Sequence, residues 1–357
     1  MENPPSESAG LSDSERILFI ELRGGMAEFM MALPSIQAVG RSNPRAELEV
    51  LTSPECAELL EGDPSVARTH VVKRDESSVG PPDESFQQQE VERVLGKGSY
   101  DVVIVDAASA RVRQSAESSG ARVVISDLRG DASPDQLIEE QALATLAQRH
   151  LIEARYVNLV GRISLTEEEK KWARCWRGNN LAGRHQTVIL NPTSGTPIKK
   201  WAAENFVTVG RWLDSRHHCN VVILSGDEPD LAARIGHEIG RGATILPKVG
   251  IRRLAAIANL SSLIISADSA PPRVAAASGA KAIVLFGPTS DVRRGLRPPH
   301  VNVRSPIQCG ERDTAGFTDQ SCWQLGQCVL DGGGQSSCVN NIAPDVIIRT
   351  AERMLHS

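Results

Sequence analysis

A glycine-rich turn followed by a carboxylate lies near the beginning of the chain. Residues 17–22 form an apolar run typical of a buried strand, and residues 28–40 have the apolar spacing of a helix. Gly24 and Gly25 lie between them, so backbone N–H groups at the helix start could hold an anion or a polar sugar group. The turn lacks the G-x-G-x-x-G pattern of dinucleotide sites. Glu28 either lies at the mouth of this site or only stabilises the helix N-terminus.

A second concentration of polar groups follows the strand expected at residues 187–190. Residues 191–201, Asn-Pro-Thr-Ser-Gly-Thr-Pro-Ile-Lys-Lys-Trp, contain hydroxyls, a glycine and two lysines. At the carboxyl end of a strand in an α/β sheet, this set suits a diphosphate. The alternative is a solvated loop in which Lys199 and Lys200 are surface charges.

A third segment, Asp-Ser-Ala-Pro-Pro-Arg at residues 268–273, follows the strand expected at residues 263–266. Asp268 could simply cap the next helix, with a proline in the first turn. In a functional interpretation, the free N–H groups here face the same crevice as residues 191–201, because both loops lie at carboxyl ends of strands in one domain. Arg273 could then pair with a phosphate through two hydrogen bonds.

Four of the seven cysteines are concentrated near the end of the chain, at Cys309, Cys322, Cys328 and Cys338. Twelve, five and nine residues separate them, and none forms a C-x-x-C pair. A cytosolic chain is not expected to keep structural disulfides. The pattern therefore favours unpaired thiols, and a zinc site is the alternative.

The composition limits the classes of function. The chain has 357 residues, which suits two α/β domains, and only 4% aromatic residues, which disfavours a stacking platform for nucleic acid. No apolar run reaches the roughly 20 residues of a membrane helix. The first fifteen residues are polar and acidic, unlike a signal peptide, and predict a disordered tail. We expect a cytoplasmic protein with no membrane span and no nucleic-acid partner.

Charge is unevenly divided along the chain. Residues 14–165 carry 16 basic and 24 acidic residues, a net charge of −8, whereas residues 166–357 carry 23 and 17, a net charge of +6. The basic half could attract an anion such as a sugar nucleotide, and the acidic half should repel one. Solvated surface charges are the alternative interpretation.

Strands that alternate with helical segments predict an α/β fold with parallel sheets. The expected strands are residues 17–22, 47–51, 69–72, 100–105 and 122–125, then 187–190, 220–224, 263–266 and 282–286. Residues 74–89, which include two adjacent prolines, predict a loop. A capping signal followed by a charged helix begins at Ser164, and we place the interdomain linker just before it. We therefore expect a tail at residues 1–15, domains at 16–163 and 164–343, and a last helix at 344–357 that crosses back to the first domain.

Taken together, these motifs resemble glycosyltransferase family 9, the heptosyltransferase family, over about residues 16–356. The resemblance is carried by the strand, glycine turn and Leu-Pro helix at residues 17–39, the Lys-Lys-Trp at 199–201, the Asp-Ser-Ala at 268–270 and the Phe-Gly-Pro-Thr at 286–289. It implies a GT-B fold, with two Rossmann-like domains facing a central cleft. It also implies an inverting, metal-independent glycosyltransferase without a cofactor, with ADP-heptose as the expected nucleotide-diphospho sugar donor.

The resemblance also assigns roles to individual residues. Glu28 stands where the family has its aspartate base, and Gly24 and Gly25 form the loop that would meet the acceptor or sugar. The positions assigned to the donor site are Thr193, Ser194, Lys199, Glu228, Asp268, Ser269, Ala270 and Arg273.

The sequence departs from the family pattern near the expected base and near the positions assigned to the donor site. Ala27 and Glu28 replace a Gly-Asp pair, Ala270 replaces a glycine, and Arg273 stands where the family usually has histidine. The alternatives are therefore a pseudo-transferase that only binds a sugar nucleotide, a GT-B-like sugar-nucleotide epimerase, and a lipopolysaccharide-core heptosyltransferase. Because the first half is acidic, we expect a small soluble acceptor, such as an amino sugar, in preference to a phosphorylated glycolipid.

Overall fold

The computed structural model describes residues 15–72, 84–130, 135–310, 320–329 and 337–356. The fold is α/β, as predicted, and the chain divides into two compact units, each built on a parallel sheet. The first unit contains the described residues within 15–130 and 138–164, and the second contains 135–137 and those within 165–356. The tail predicted at residues 1–15 lies outside the described residues except for Glu15, which is buried and pairs with Arg122.

The first unit alternates strands and helices. Its strands are β1 (Arg16–Leu22), β2 (Glu47–Thr52), β3 (Arg68–Val71), β4 (Val102–Ala107) and β5 (Val123–Ile125). Its helices are α1 (Met26–Ser42), α2 (Pro54–Ala57), α3 (Glu84–Leu95), α4 (Ala110–Glu117) and α5 (Ile138–Gln148), with 3-10 turns at Glu58–Leu60 and Ala154–Tyr156. The strands are parallel in the order β3-β2-β1-β4-β5. The order reverses between β1 and β4, where open α/β sheets bind ligands at the carboxyl ends of the strands.

The second unit follows the same plan. Its strands are β6 (Thr187–Asn191), β7 (Asn220–Leu224), β8 (Ala243–Leu246), β9 (Leu263–Ala267), β10 (Lys281–Phe286) and β11 (Val301–Arg304). Its helices are α6 (Glu167–Asn180), α7 (Ala203–His217), α8 (Pro229–Ile239), α9 (Ile251–Asn259), α10 (Ala270–Ala277), α11 (Asp291–Arg294), α12 (Ser321–Leu325), α13 (Ser337–Asn340) and α14 (Pro344–His356), with a 3-10 turn at Pro197–Lys199. The parallel order β11-β10-β9-β6-β7-β8 reverses between β6 and β9.

The central strands are buried on both faces, which explains their continuous apolar sequences. In the first unit, Leu18 and Ile20 of β1 belong to the same core as Val103 of β4. β8 and β11 are four-residue strands at the two edges of the second sheet, and neither was predicted from the sequence. Edge strands are half-exposed, so their apolar signal is weak.

The loop predicted at residues 74–89 is wrong at its end, because α3 begins at Glu84. Val91 and Val94 of this helix lie in the core of the first unit. Phe86, near the start of the same helix, packs against that core. The mostly polar residues at the start of α3 hid this apolar face. The rest of the predicted loop, residues 74–83, lies outside the described residues.

The last helix, α14, packs within the second unit, so the prediction that it crosses back to the first domain is wrong. Ile347, Ala351 and Leu355 recur every four residues, form one buried face and join the core of the second unit. Lys281 of β10 also donates to the carbonyl oxygen of Met354 over 2.9 Å. The apolar face of α14 therefore packs beside the sheet of the second unit, which precedes this helix in the chain.

The longest helix in the described ranges is α1, with 17 residues. None of the helices in these ranges is both long and apolar enough to span a membrane.

Candidate functional site

The glycine turn of the first unit places Glu28 in the first turn of α1. β1 ends at Leu22, and α1 begins at Met26 with Gly25 as its N-cap residue. A Cβ atom on Gly24 would lie 3.2 Å from Cγ of Glu28, so the missing side chain leaves room for the glutamate. The strand, turn and helix therefore form as expected, with the Glu28 side chain beside the turn.

A buried arginine contacts the Glu28 carboxylate. Nη1 of Arg129 donates to Oε2 of Glu28 over 2.7 Å, and Nη2 of Arg129 donates to Oδ2 of Asp106 over 2.8 Å. Nε of Arg23 donates to the other oxygen of Asp106 over 2.7 Å, and its Nη2 lies 3.5 Å from Asp127. Two arginines and three carboxylates thus form one network at the carboxyl edge of the sheet.

The charge of Arg129 is secured by this network. Burial alone would lower the pKa of Arg129, but the carboxylates of Asp106 and Glu28 outweigh burial and raise that pKa above its ordinary value. Arg129 therefore stays a cation, and its rigid fork of N–H donors orients the Glu28 side chain. Neither Arg129 nor Asp106 was singled out from the sequence; an aspartate at the end of the buried strand β4 was the available signal.

Glu21 of β1 stands directly opposite Asp106 of β4. Its side chain is buried, Oε2 accepts from Oγ1 of Thr52 over 3.0 Å, and Oε1 has no hydrogen-bond partner among the described residues. Burial and, secondarily, the Asp106 carboxylate raise the pKa of Glu21 to about 8. Glu21 is therefore mostly protonated at neutral pH. Glu21 was not predicted from the sequence as a site residue, because it stands within an apolar strand.

A cavity of about 610 Å³ opens beside the glycine turn of the first unit. Gly24 and Gly25, which the resemblance assigned to the acceptor or sugar, belong to its wall. The other lining residues are Glu21, Leu22, Arg23, Met26, Ser53, Pro54, Glu55, Val72, Glu84, Gln87, Ala108 and Ser109. Apolar and acidic side chains dominate this set, so the wall does not suit an anion.

In the second unit, the loop after β6 is organised by its own hydroxyls. Oγ1 of Thr193 donates to Oδ1 of Asn191 over 3.0 Å, and Oγ of Ser194 accepts from the backbone N–H of Thr196 over 3.2 Å. Nδ2 of Asn191 donates to Oγ of Ser266 in β9 over 2.9 Å. The carboxyl ends of β6 and β9 are therefore tied together where the strand order reverses.

Asp268 is the centre of a buried cluster of three cations. Nζ of Lys199 lies 3.5 Å from Oδ2 of Asp268, Nη2 of Arg273 donates to Oδ1 over 3.1 Å, and Nε of Arg294 lies 3.4 Å from Oδ2. All four residues are at most 8% exposed. The structure thus brings together Lys199, Asp268 and Arg273, as predicted, and adds Arg294.

The ionisation of this cluster follows from burial and charge. Burial alone would raise the pKa of Asp268, but Lys199, Arg294 and Arg273 hold it well below its usual range. Burial lowers the pKa of Lys199, while the Asp268 carboxylate opposes that effect. Three cations around one carboxylate leave an excess of positive charge at the carboxyl ends of the strands.

Arg273 points into the protein, where it supports Asp268. Its Nη2 also donates to the carbonyl oxygen of Arg294, and its Nε has no hydrogen-bond partner among the described residues. Asp268 is not the helix cap, because the N-cap residue of α10 is Ser269, which makes no side-chain capping bond. α10 begins at Ala270. Because the Ser269 side chain makes no capping bond, it leaves the N–H groups at the start of this helix uncapped.

A second cavity, of about 670 Å³, lies in the second unit between the loop after β6 and the start of α8. Nζ of Lys200 donates to Oε2 of Glu228 over 2.7 Å at its wall, and Arg234 and the buried Trp201 also line it. Glu228, one of the positions that the resemblance assigned to the donor site, therefore lines a cavity. Lys200 accompanies it, although only Lys199 was among the positions assigned to the donor site.

The Phe-Gly-Pro-Thr segment begins at Phe286, the last residue of β10. A Cβ atom on Gly287 would lie 3.0 Å from Cβ of Val339 and 3.1 Å from Sγ of Cys338, so glycine allows α13 to pack against this turn. Thr289 is 1% exposed, and its hydroxyl has no hydrogen-bond partner among the described residues. The polar residues that were not assigned to the donor site from the sequence therefore include Thr289, Lys200 and Arg294.

The four cysteines near the end of the chain are free thiols. Burial raises the pKa of Cys322, and the neighbouring thiols of Cys338, Cys328 and Cys309 add to this effect. In the part of the chain that the structure describes, no group of three or more His, Cys, Asp or Glu side chains is placed to hold a metal ion.

Two units of this kind, each built on a parallel sheet, are the components of the GT-B fold, and comparison with known proteins identifies the family. The sequence model described as glycosyltransferase family 9 (heptosyltransferase) matches residues 90–316. Lipopolysaccharide heptosyltransferase 3 of Escherichia coli is 25% identical over 281 residues, which cover 74% of this chain and 82% of that protein.

Solved structures share the fold. The glycosyl transferase family 9 protein of Veillonella parvula has a TM-score of 0.77 at 18% identity and covers 96% of this chain and 98% of its own. The E. coli heptosyltransferase WaaC with ADP has a TM-score of 0.64 at 14% identity, with 95% and 99% covered. The chain therefore belongs to glycosyltransferase family 9, which confirms the resemblance seen in the sequence and the GT-B fold, and the protein is a glycosyltransferase.

Proposed function

We propose that this enzyme transfers a heptose from ADP-heptose to a hydroxyl group of an acceptor, with inversion at the anomeric carbon and without a metal ion. The structures of similar proteins include WaaC with ADP and with ADP-2-deoxy-2-fluoro heptose, which supports a nucleotide-diphospho sugar donor. The observation that carries the proposal is the excess of buried positive charge around Asp268, at the carboxyl ends of β6 and β9.

The donor diphosphate is assigned to the second unit. Lys199 and the uncapped N–H groups at the start of α10, at Ser269 and Ala270, supply positive charge and hydrogen-bond donors. The hydroxyls of Thr193 and Ser194 add neutral donors beside them. Because the whole half is basic, it favours an anionic ligand over a neutral sugar.

The nucleoside is assigned to the cavity that Lys200 and Glu228 line. The Glu228 carboxylate can accept hydrogen bonds from ribose hydroxyls, a geometry that a neighbouring lysine at 2.7 Å keeps in place. Arg273 and Arg294 act indirectly in this proposal, since both bind Asp268 and thereby hold the loop after β9.

Glu28 is assigned as the general base. The acceptor hydroxyl attacks the anomeric carbon as Glu28 takes its proton, the bond from that carbon to the diphosphate oxygen breaks, and ADP leaves with the bonding electron pair. One direct displacement of this kind inverts the configuration. A positioned base contributes roughly 10²–10⁴-fold to such a step, and the Arg129 fork supplies the positioning.

The leaving ADP gains negative charge in the transition state. Lys199 and the N–H groups of α10 stabilise this charge by preorganised electrostatics, so the proposed step needs no metal ion. Addition of EDTA should therefore leave the rate unchanged.

The decisive experiment is a comparison of sugar nucleotides by calorimetry and thermal shift. ADP-heptose should raise the melting temperature by mass action, whereas UDP-N-acetylglucosamine and GDP-mannose should not. The product anomer, determined by NMR, should be opposite in configuration to the donor. Binding of UDP-N-acetylglucosamine with no binding of ADP-heptose would overturn the proposal.

A further inference from the structure

The indole ring of Trp323 lies against the ammonium group of Lys199. Nζ of Lys199 stands over the ring, 5.3 Å from its centroid. A ring face attracts a cation within about 6 Å, more strongly where water is excluded, and Lys199 is only 8% exposed. The contacts of Nζ with Asp268 are long for hydrogen bonds, 3.5 Å to Oδ2 and 3.4 Å to the carbonyl oxygen. The position of the ammonium group is therefore set by the ring as well as by Asp268.

The short helix α12, which carries Trp323 as its middle residue, is fixed in the second unit. Its N-cap residue Gln320 is 3% exposed, and Nε2 of Gln320 donates to the carbonyl oxygen of Pro288 over 3.2 Å. Just beyond the other end of α12, Gly326 and Gln327 line the cavity assigned to the nucleoside. This helix therefore connects the Phe-Gly-Pro-Thr turn with the nucleoside cavity.

We infer that Trp323 is a positioning residue of the donor site, which holds the ammonium group of Lys199 toward the donor diphosphate through the face of its indole ring. This inference rests on the proposed function, which assigns the diphosphate to Lys199. A ring face attracts the cation but carries no net charge, so it competes with a diphosphate less than a carboxylate does. Without the ring, the flexible side chain of Lys199 moves toward the Asp268 carboxylate, and the diphosphate must compete for it.

The test measures the binding of ADP to the full chain by calorimetry. Trp323→Leu keeps an apolar side chain and removes the ring, so the dissociation constant for ADP should rise about threefold to tenfold. Trp323→Met, a second variant without a ring, should show the same loss, and Trp323→Phe should recover most of the affinity because it keeps a ring face. An unchanged dissociation constant in a ring-free variant, or a Phe variant as weak as the Leu variant, would overturn the inference.

A double-mutant cycle tests whether the effect acts through Lys199. In the Lys199→Ala background, Trp323→Leu should leave the dissociation constant for ADP unchanged, because the ammonium group is absent. Adenosine, which lacks the diphosphate, should bind equally to wild type and to Trp323→Leu in an NMR titration. Losses that add in the double variant, or an equal loss of adenosine affinity, would mean that Trp323 only shapes the cavity wall, and the positioning role would be wrong.

The pH dependence of ADP binding is a readout that a merely structural role would not move. Burial lowers the pKa of Lys199, the Asp268 carboxylate opposes that effect, and the ring also favours the charged form. The charged groups that face Lys199 are Asp268, Arg294 and Arg273. Asp268 stays ionised because its pKa is held well below its usual range, and guanidinium groups keep their charge in proteins.

Affinity for ADP should therefore fall between about pH 8 and pH 10 as Lys199 loses its proton, a range in which the phosphates of ADP are already ionised. Removal of the ring destabilises the charged form, so the fall should begin at a lower pH in Trp323→Leu than in wild type. Identical pH profiles for the two proteins would contradict the inference.

Trp172→Leu is the matched control. The ring of Trp172 on α6 is half-buried, as is that of Trp323, and makes the same kind of contact with Arg253, whose Cζ lies 5.0 Å from the ring centroid. ADP binding by Trp172→Leu should equal that of wild type. If wild type binds neither ADP nor ADP-heptose, the proposed function fails. If wild type binds ADP and the ring-free variants of Trp323 bind it equally well, only the role of Trp323 is wrong.

Discussion

The guanidinium of Arg129 donates a hydrogen bond of 2.7 Å to the carboxylate of Glu28, although the two residues are 101 positions apart in the chain. The same guanidinium binds Asp106, so the Glu28 side chain is oriented from the adjoining strand β4 and the segment after β5. The glutamate is one methylene longer than the aspartate of the family pattern. A carboxylate held in this way can act as a base at a position slightly displaced from the aspartate.

Replacement of Glu28 by glutamine should lower kcat by about 10²-fold or more and leave the donor dissociation constant nearly unchanged, because shape is kept and basicity is lost. Steady-state kinetics and calorimetry with ADP-heptose measure the two quantities. Glu168→Gln on the exposed side of α6 serves as the control with the same change of charge. Turnover close to that of wild type in Glu28→Gln would remove Glu28 from the mechanism.

Replacement of Lys199 by alanine should weaken nucleotide-sugar binding by about 1.5–3 kcal/mol, the usual range for a hydrogen bond to a charged group. Lys171→Ala, on the exposed surface of α6, removes the same charge away from the cluster and should change the dissociation constant little. Since Asp268 keeps Arg273 and Arg294 as partners, the variant should still fold. An unchanged calorimetric dissociation constant in Lys199→Ala would refute its donor role.

Glu49 should make the first unit sensitive to acid. Its buried carboxylate accepts hydrogen bonds from Arg16, His70 and Tyr100. Burial alone would raise the pKa of Glu49, but these bonds lower it to about 2 from an ordinary 4.5. A carboxylate with a depressed pKa contributes stability that is complete above about pH 4.5 and is lost as the pH falls toward 2, about 3 kcal/mol in all at 1.4 kcal/mol per pKa unit.

Glu49→Gln should therefore destabilise the first unit at pH 7 and flatten its pH dependence between pH 4.5 and 2. All five tryptophans lie in the second unit, so tryptophan fluorescence reports on the denaturation of that unit, whereas far-ultraviolet circular dichroism follows both units. The tryptophan signal provides an internal control. A variant as stable as wild type at pH 7 would show that the Glu49 contacts contribute nothing.

Two helical glycines should respond oppositely to alanine. A Cβ on Gly40 of α1 would collide with the carbonyl oxygen of Ser65 and lie 2.8 Å from its Cβ, so Gly40→Ala should cost about 1–3 kcal/mol. Exposed Gly178 of α6 has nothing within 4 Å of the added Cβ, so Gly178→Ala should gain about 0.5–1 kcal/mol from helix propensity. Chemical denaturation of the two variants measures both effects, and a stabilising Gly40→Ala would show that the helix and the Ser65 loop can separate freely.

The sequence alone determined the alternation of strands and helices, the glycine turn before Glu28 and the polar loops after β6 and β9. These features depend on local periodicity and on residue types at strand ends, which act over a few neighbouring positions. The two edge strands of the second sheet, β8 and β11, and the polar start of α3 escaped detection, because their burial is partial and their apolar signal is weak.

Only the tertiary structure decided which charges meet. It turned Arg273 inward onto Asp268, joined Arg129 to Glu28 and Asp106, placed Glu21 opposite Asp106 and kept α14 on the second sheet. Apart from Arg273 and Asp268, which are five positions apart, these pairs join residues that are distant in the chain. Strand order sets their neighbours, and burial makes every unpaired charge costly. Each buried charge therefore pairs with an oppositely charged group that lies close to it in space. The spacing of residues along the chain does not show which group that is.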